Sequence, residues 1–179
     1  DAYDKGRLMG TFADDCAREF GFTREAQDAY AIESLTRAQA AITSGHFAGE
    51  IAEVTLKERG GERVVTQDEQ PFKARIDKIP TLRPAFGPNG TVTAANASSI
   101  SDGAAALVMM RLSTAEAAGL TPLAKIVGHA THAQAPSQFP SAPIGALTAL
   151  RDQTGWAFKD VDLYEINEAF AVVAMAAMQ

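Results

Sequence analysis

The sequence predicts a layered α/β fold with a largely parallel sheet. The first observation behind this is an alternation: from Gly103 onward, short continuous apolar runs take turns with helical stretches. The second is the run at 104–110, which is apolar throughout, as in a strand covered on both faces. The third is composition. Of 179 residues, 46% are hydrophobic and only 7% aromatic, enough for a sizeable core built mainly from Ala, Val, Leu, Ile and Met.

The elements follow in order. Residues 9–20 read as a helix and include the single cysteine, Cys16. Thr23 is placed to cap a long helix reaching about Ser44. Ala31, Leu35, Ala38 and Ile42 form one stripe along it, and Gly45 stands where a left-handed residue closes a helix. Ala52, Val54 and Leu56 then alternate with Glu53, Thr55 and Lys57; with Gly60-Gly61 and Val64-Val65 behind them, they read as a hairpin. Pro71, Pro80, Pro84 and Pro88 break 69–89 into an extended loop, and the main boundary falls between this loop and about Gly103. Beyond it, 104–110 reads as a strand. Ser113 and Glu116 form a capping box for a short helix ending near Gly119. Residues 123–130 read as a second strand, 143–154 as a helix closed by Gly155, and 161–166 as a third strand. The last stretch, 169–178, is apolar nearly all round, the pattern of a buried helix. The chain opens without Met and stops inside that helix, so it is expected to be a piece of a larger protein.

Charge and cysteine usage narrow the function. Sixteen basic against 22 acidic side chains give a net charge of −6, which argues against a general nucleic-acid or anionic-membrane surface. One cysteine excludes a disulfide framework or cysteine-rich zinc site and fits a reducing compartment, expected to be the cytoplasm. No apolar run approaches the ~20 residues of a membrane helix, and no signal-peptide pattern is present. Phosphate-loop, dinucleotide, zinc-protease and serine-hydrolase motifs are all missing.

Four features can carry chemistry. Lys73, Arg75, Lys78 and Arg83 lie within eleven residues of a proline-broken loop. They are either a solvated loop or an anion site, in which flexible lysines and forked arginines hold several phosphates. The small-residue stretch 91–99, followed by Ser101-Asp102-Gly103, either lets another molecule approach the backbone or is a tight internal turn. Asn167, between the third strand and the last helix, either caps that helix or uses its amide to orient a water or bind an oxyanion. Cys16 has no adjacent histidine and reads as a packed, inert thiol. His46, His129 and His132 show no spacing that closes a metal site, so no metal is predicted.

Several of these stretches together resemble the thiolases. They are Asn167-Glu168-Ala169-Phe170-Ala171, Leu82-Arg83-Pro84-Ala85-Phe86, Gly90-Thr91-Val92-Thr93-Ala94-Ala95-Asn96-Ala97-Ser98 and Ser101-Asp102-Gly103-Ala104-Ala105, in that family's order and spacing. Gln27-Asp28-Ala29-Tyr30-Ala31 and Leu8-Met9-Gly10 fit too, and the likeness runs across essentially the whole chain. The resemblance implies a two-halved layered α/β protein with a loop domain inserted in the first half. Residues 1–100 would be most of the loop domain, 101–121 the end of the first half and 122–179 the opening of the second.

The resemblance also implies acyl transfer: Claisen condensation of two acetyl-CoA molecules to acetoacetyl-CoA, or the reverse thiolysis, with coenzyme A as substrate and no permanently bound cofactor. Pantetheine would pass Met9, Phe86, Ala94 and Ser98. Lys78 would meet the phosphates, with Lys73 or Arg75 as a second contact. Phe139-Pro140 falls at the acyl pocket with Phe170 beside it, and the flat aromatic wall suits a 2-methyl branch. Asn167 would hold a water in the oxyanion hole for the enolate. Members of the family are usually tetramers, pairs of tight dimers.

The resemblance places the nucleophilic cysteine, the activating histidine and the second cysteine outside these 179 residues, and Cys16 matches none of them. The chain alone is therefore expected to be inactive. Leu8 stands where the family has a histidine beside the methionine. Leu35 stands where potassium-binding members have a tyrosine. The rival expectation is a non-catalytic coenzyme A or acyl-CoA binding module from a truncated relative; a ketoacyl-synthase-like condensing enzyme fits less well, since those lack the inserted loop domain.

Overall fold

Thr23 sets the start of the longest helix: its side-chain oxygen accepts the Ala26 N–H at 3.1 Å, one of the donors that a helix start leaves without a partner. The computed structural model describes residues 4–179. Helix α1 spans Met9–Glu19, and α2 spans Arg24–Thr43. Helix α1 buries Gly10, Phe12, Ala13, Asp14, Cys16 and Ala17, a face at helical spacing. The predicted stripe on α2 is buried at Ala31 and half-buried at Leu35, Ala38 and Ile42. Gly45 follows with φ +76°, a value that costs glycine nothing.

The hairpin forms as predicted, with β1 at Val54–Glu58 and β2 at Gly61–Val65 pairing Val54 with Val65 and Glu58 with Gly61. Its side chains are exposed on both faces except the half-buried Val65. The proline-broken loop is more ordered than its pattern suggests. It holds a one-turn helix α3, Gln70–Lys73, and a 3₁₀ turn over Ile76–Thr81. Pro71 sits in the first turn of α3, where a missing N–H costs no bond.

Helix α4 spans Leu112–Ala117, α5 spans Ala142–Thr154 and α6 spans Ala171–Ala177. The capping box predicted from Ser113 and Glu116 does not form. The helix begins two residues earlier than a Ser113 cap would set it, the flanking residue is Arg111, and no side chain caps it. Gly155 ends α5 at φ +74°, its N–H donating to Arg151 O at 2.8 Å.

The three predicted strands at 104–110, 123–130 and 161–166 are not formed. Among the described residues the sheet is the β1–β2 hairpin alone. An apolar run states a strand's tendency but not its partner, and a ladder needs a second strand to exchange N–H···O=C bonds. These runs have none, and Val108 and Leu163 are 89% and 88% exposed.

The core forms around α6 instead. Val172, Val173, Ala176 and Phe170 pack with Ala13, Cys16 and Ala17 of α1 and with Val92. A 3₁₀ turn at Pro136–Ser141 seats against α1 and α6. No helix among the described residues is long and apolar enough to cross a membrane.

Gly10 lies against the Phe86 ring, and a Cβ there would overlap the ring carbons. Gly10→Ala in the full protein is expected to lower stability by ~1–3 kcal/mol, the usual cost of overpacking. Denaturant unfolding checks this; an unchanged midpoint would mean that Phe86 moves aside freely.

Candidate functional site

The segment 91–98 is irregular backbone, much of it buried, and it is held by side chains from two helices and by its own Asn96. Asp14 Oδ1 accepts the N–H groups of Thr91 (2.7 Å) and Val92 (2.9 Å). Gln27 Nε2 donates to Thr91 Oγ1 at 2.9 Å. Asn96 Oδ1 accepts the Thr93 N–H at 2.8 Å, while its Nδ2 donates to Asp28 Oδ1 and Thr91 O. Asp28 is in turn bridged by Arg24 at 2.7 Å, and Arg24 also donates to the carbonyls of Ile79 and Leu82. The small-residue stretch is thus an internal turn on one side, with Thr93 and Asn96 buried, and an open surface on the other, with Ala94 and Ser98 exposed.

This turn meets the last helix directly. Ala97 bridges Phe170, Ser98 N–H donates to Ala169 O at 3.0 Å, and Ala171 N–H donates to Asn96 O at 2.9 Å. Two motifs more than 70 residues apart are therefore joined backbone to backbone.

Four phenylalanines run through the junction. Phe86 meets Phe170 edge-on at 6.3 Å between ring centres, Phe170 meets Phe139 at 6.2 Å, and Phe139 meets Phe12 at 6.5 Å. Phe86, expected beside pantetheine, and Phe139 and Phe170, expected at the acyl pocket, lie in this one chain of rings. Phe12 was not anticipated, although its place on the buried face of α1 was a usable signal.

Two cavities flank the junction. One, of about 370 Å³, is lined by Phe139, Asn167, Ala130, Ala146 and Val173. The other, a groove of about 430 Å³, is lined by Ala94, Ser98, Tyr30, Ser34, Ile79 and Glu168, among others. Residues 167–171 run between them, so Asn167 faces one and Glu168 the other. A larger apolar cavity of about 880 Å³ lies beside the unpaired 161–166 run and holds none of the anticipated site residues.

Asn167 is not a helix cap. The residue flanking α6 is Phe170, three positions on, and the exposed Asn167 amide makes no hydrogen bond among the described residues. Glu168 is anchored instead: its carboxylate accepts the Tyr30 hydroxyl at 2.6 Å and the Ser34 hydroxyl at 2.8 Å. Burial, and then the bond to Glu168, push the Tyr30 phenol well above its ordinary range, so it keeps its proton and remains a donor.

The remaining anticipated residues are spread around this centre. Met9 is exposed at the start of α1, next in sequence to Gly10, which lies against the Phe86 ring. Pro140 is fully buried and lines neither cavity, so Phe139 alone of that pair faces the open space. Phe170 is buried behind the wall. Lys73, Arg75 and Lys78 stand on the segment whose Pro71, Ala74 and Ile79 line the groove, but outside the groove itself. Each is met by a nearby carboxylate: Lys73 by Glu69 at 2.6 Å, Arg75 by Asp77 at 2.9 Å and Lys78 by Asp77 at 3.8 Å. Such exposed pairs contribute little. No group of His, Cys, Asp and Glu among the described residues is arranged to hold a metal.

Residues 1–113 match the family model "Thiolase, N-terminal domain", and residues 120–179 match "Thiolase, C-terminal domain". The chain belongs to the thiolase family. It is 49% identical over 177 residues to a probable acetyl-CoA acetyltransferase of Dictyostelium discoideum, covering 98% of this chain and 42% of that protein. Among solved structures, it superposes on the Bacillus anthracis acetyl-CoA acetyltransferase with a TM-score of 0.91 at 40% identity, covering 96% of this chain and 44% of the other. The Acat5 thiolase of Ascaris suum in complex with coenzyme A gives 0.88 at 38% identity, again covering 96% and 44%. This thiolase chain therefore has the α/β fold of those enzymes along nearly its whole length, and it spans less than half the length of the relatives it matches.

Cys16 is buried on the inner face of α1, and burial, then the neighbouring Glu19 charge, push its thiol up to about 11 from an ordinary 9.0. A raised value means that the neutral thiol suits the fold. Its contribution to stability is complete below pH 9.0 and is lost as pH climbs through about 11. At pH 8, alkylation of Cys16 is expected only after denaturation, read by peptide mass spectrometry; prompt labelling of the native protein would contradict its burial.

Proposed function

We propose that the protein to which this chain belongs is an acyltransferase that condenses two acetyl-CoA molecules to acetoacetyl-CoA or runs the reverse thiolysis. The observation that carries the reading is the meeting of the Ala-Asn-Ala-Ser turn with the Asn167–Phe170 segment, which sets Asn167 and Phe139 on one cavity and Ala94 and Ser98 on its neighbour. The likeness to enzymes named acetyl-CoA acetyltransferase, one of them solved with coenzyme A, supports it.

In this reading the pantetheine arm lies along Met9, Phe86, Ala94 and Ser98, and Lys78, with Lys73 or Arg75, releases its carboxylate partner to take the phosphates. Phe139, backed by Pro140 and Phe170, forms the wall against the acyl group. Asn167, with an unengaged amide, orients a water toward the enolate oxygen that develops on acetyl-CoA. A preorganised donor of this kind contributes ~2.7–4 kcal/mol of transition-state stabilisation. The acylated cysteine is not Cys16, which is buried and held neutral; it belongs to the part of the longer enzymes that these residues do not span. Residues 1–100 serve as the loop domain, 101–121 close the first half and 122–179 open the second. A homotetramer and a cytoplasmic setting complete the reading.

Asn167→Asp in the full enzyme is expected to cut turnover by ~100-fold or more, as loss of an oxyanion donor does, with coenzyme A affinity nearly unchanged. Steady-state thiolysis beside calorimetric titration reads both, and equal losses would reduce Asn167 to a structural role. Lys78→Glu should weaken coenzyme A binding roughly threefold to tenfold, and more at low salt than at high, because exposed charge contacts are screened. Salt-independent, unchanged binding would remove this loop from the phosphate site.

A further inference from the structure

We infer that Tyr30 and Ser34 are positioning residues that act through Glu168 to fix Asn167 at the cavity it shares with Phe139. This deepens the proposed oxyanion role of Asn167 and rests on it. Tyr30 and Ser34 lie four positions apart on α2, hence on one face. Their hydroxyls converge on the two oxygens of a single carboxylate, Tyr30 on Oε1 at 2.6 Å and Ser34 on Oε2 at 2.8 Å. Glu168 is solvent-exposed, and no cation pairs with it among the described residues, so these two neutral donors account for its fixed orientation.

The opposite end of the segment is held by backbone. Ser98 N–H reaches Ala169 O, Ala171 N–H reaches Asn96 O, and Ala169 N–H folds back to Asn167 O at 3.0 Å. Asn167 is the residue left without a side-chain bond of its own. Its amide direction is set by the backbone it sits on, and that backbone is pinned at residue 168 from α2 and at 169–171 from the Asn96 turn. The geometry has a chemical logic: a side chain that must bind a water and an enolate cannot also spend its amide on the protein, so the neighbouring residue carries the anchoring. Because the Tyr30 phenol stays protonated, the clamp holds across the working pH range.

The test is a mutant cycle in the full enzyme. Tyr30→Phe and Ser34→Ala together remove both donors. Turnover in thiolysis is expected to fall about 10- to 100-fold, the scale on which misplacing a catalytic group by about 1 Å operates, and by a larger factor than the KM for coenzyme A rises, although both hydroxyls also line the groove of Ala94 and Ser98. In an Asn167→Ala background the same pair is expected to cause no further loss, since nothing remains to be positioned. Glu168→Gln, which keeps an oxygen for the Tyr30 hydroxyl, is expected to retain more turnover than Glu168→Ala. An undiminished loss in the Asn167→Ala background, or no loss in the parent enzyme, overturns the clamp while leaving the oxyanion role intact. An Asn167→Ala enzyme with full turnover overturns that role and the clamp together. If the double variant does not fold, Ser34→Ala alone is run through the same cycle with the same deciding outcomes.

Discussion

Irregular backbone can be buried only if its N–H and C=O groups find partners, and residues 91–93 find most of theirs in two side chains. Asp14 from α1 and Asn96 from the turn itself supply those bonds, and Gln27 from α2 holds the Thr91 hydroxyl beside them. Leaving a buried donor or acceptor unpaired costs ~1–3 kcal/mol, so the turn, α1 and α2 stand or fall together. The Asp28–Arg24 pair extends the same network to the carbonyls of Ile79 and Leu82. The proline-rich loop is thereby tied to the helices on which the rest of the site is mounted.

Once the turn is fixed, it becomes a template for the segment that follows residue 166. The Ala97–Phe170 bridge and its two flanking bonds give 169–171 a defined path, and α6 starts from it. The phenylalanine chain fills the space beneath, with Gly10 cleared so that Phe86 can lie on α1. Polar bonds set the register here, while aromatic packing supplies the apolar burial. The cavities on either side are what remain when both are satisfied.

Local signals were legible in the sequence and distant ones were not. Thr23 as a cap, Gly45 and Gly155 as helix terminators, and Gly60-Gly61 as a hairpin turn act within four residues of themselves, and each performs its anticipated role. Ser113 failed because a capping motif one residue inside a helix has nothing to cap. The runs at 104–110, 123–130 and 161–166 were misread because pairing depends on a second strand that no local pattern specifies. The network through Asp14, Gln27 and Asn96 joins residues 64 to 78 positions apart, and nothing in the periodicity of either partner announces it. The site was legible only through family motifs. Spacing left Asn167 open between a cap and an oxyanion group, and finding Phe170 at the head of α6 removes the cap.

Leu107, Val108, Leu123 and Leu163 stand almost wholly in water, on backbone with no ladder to occupy it. Any polypeptide that offers an open strand edge is a template for such stretches. The residues that spell interior in the sequence are therefore, among the described residues, apolar surface of the kind that an added strand would cover.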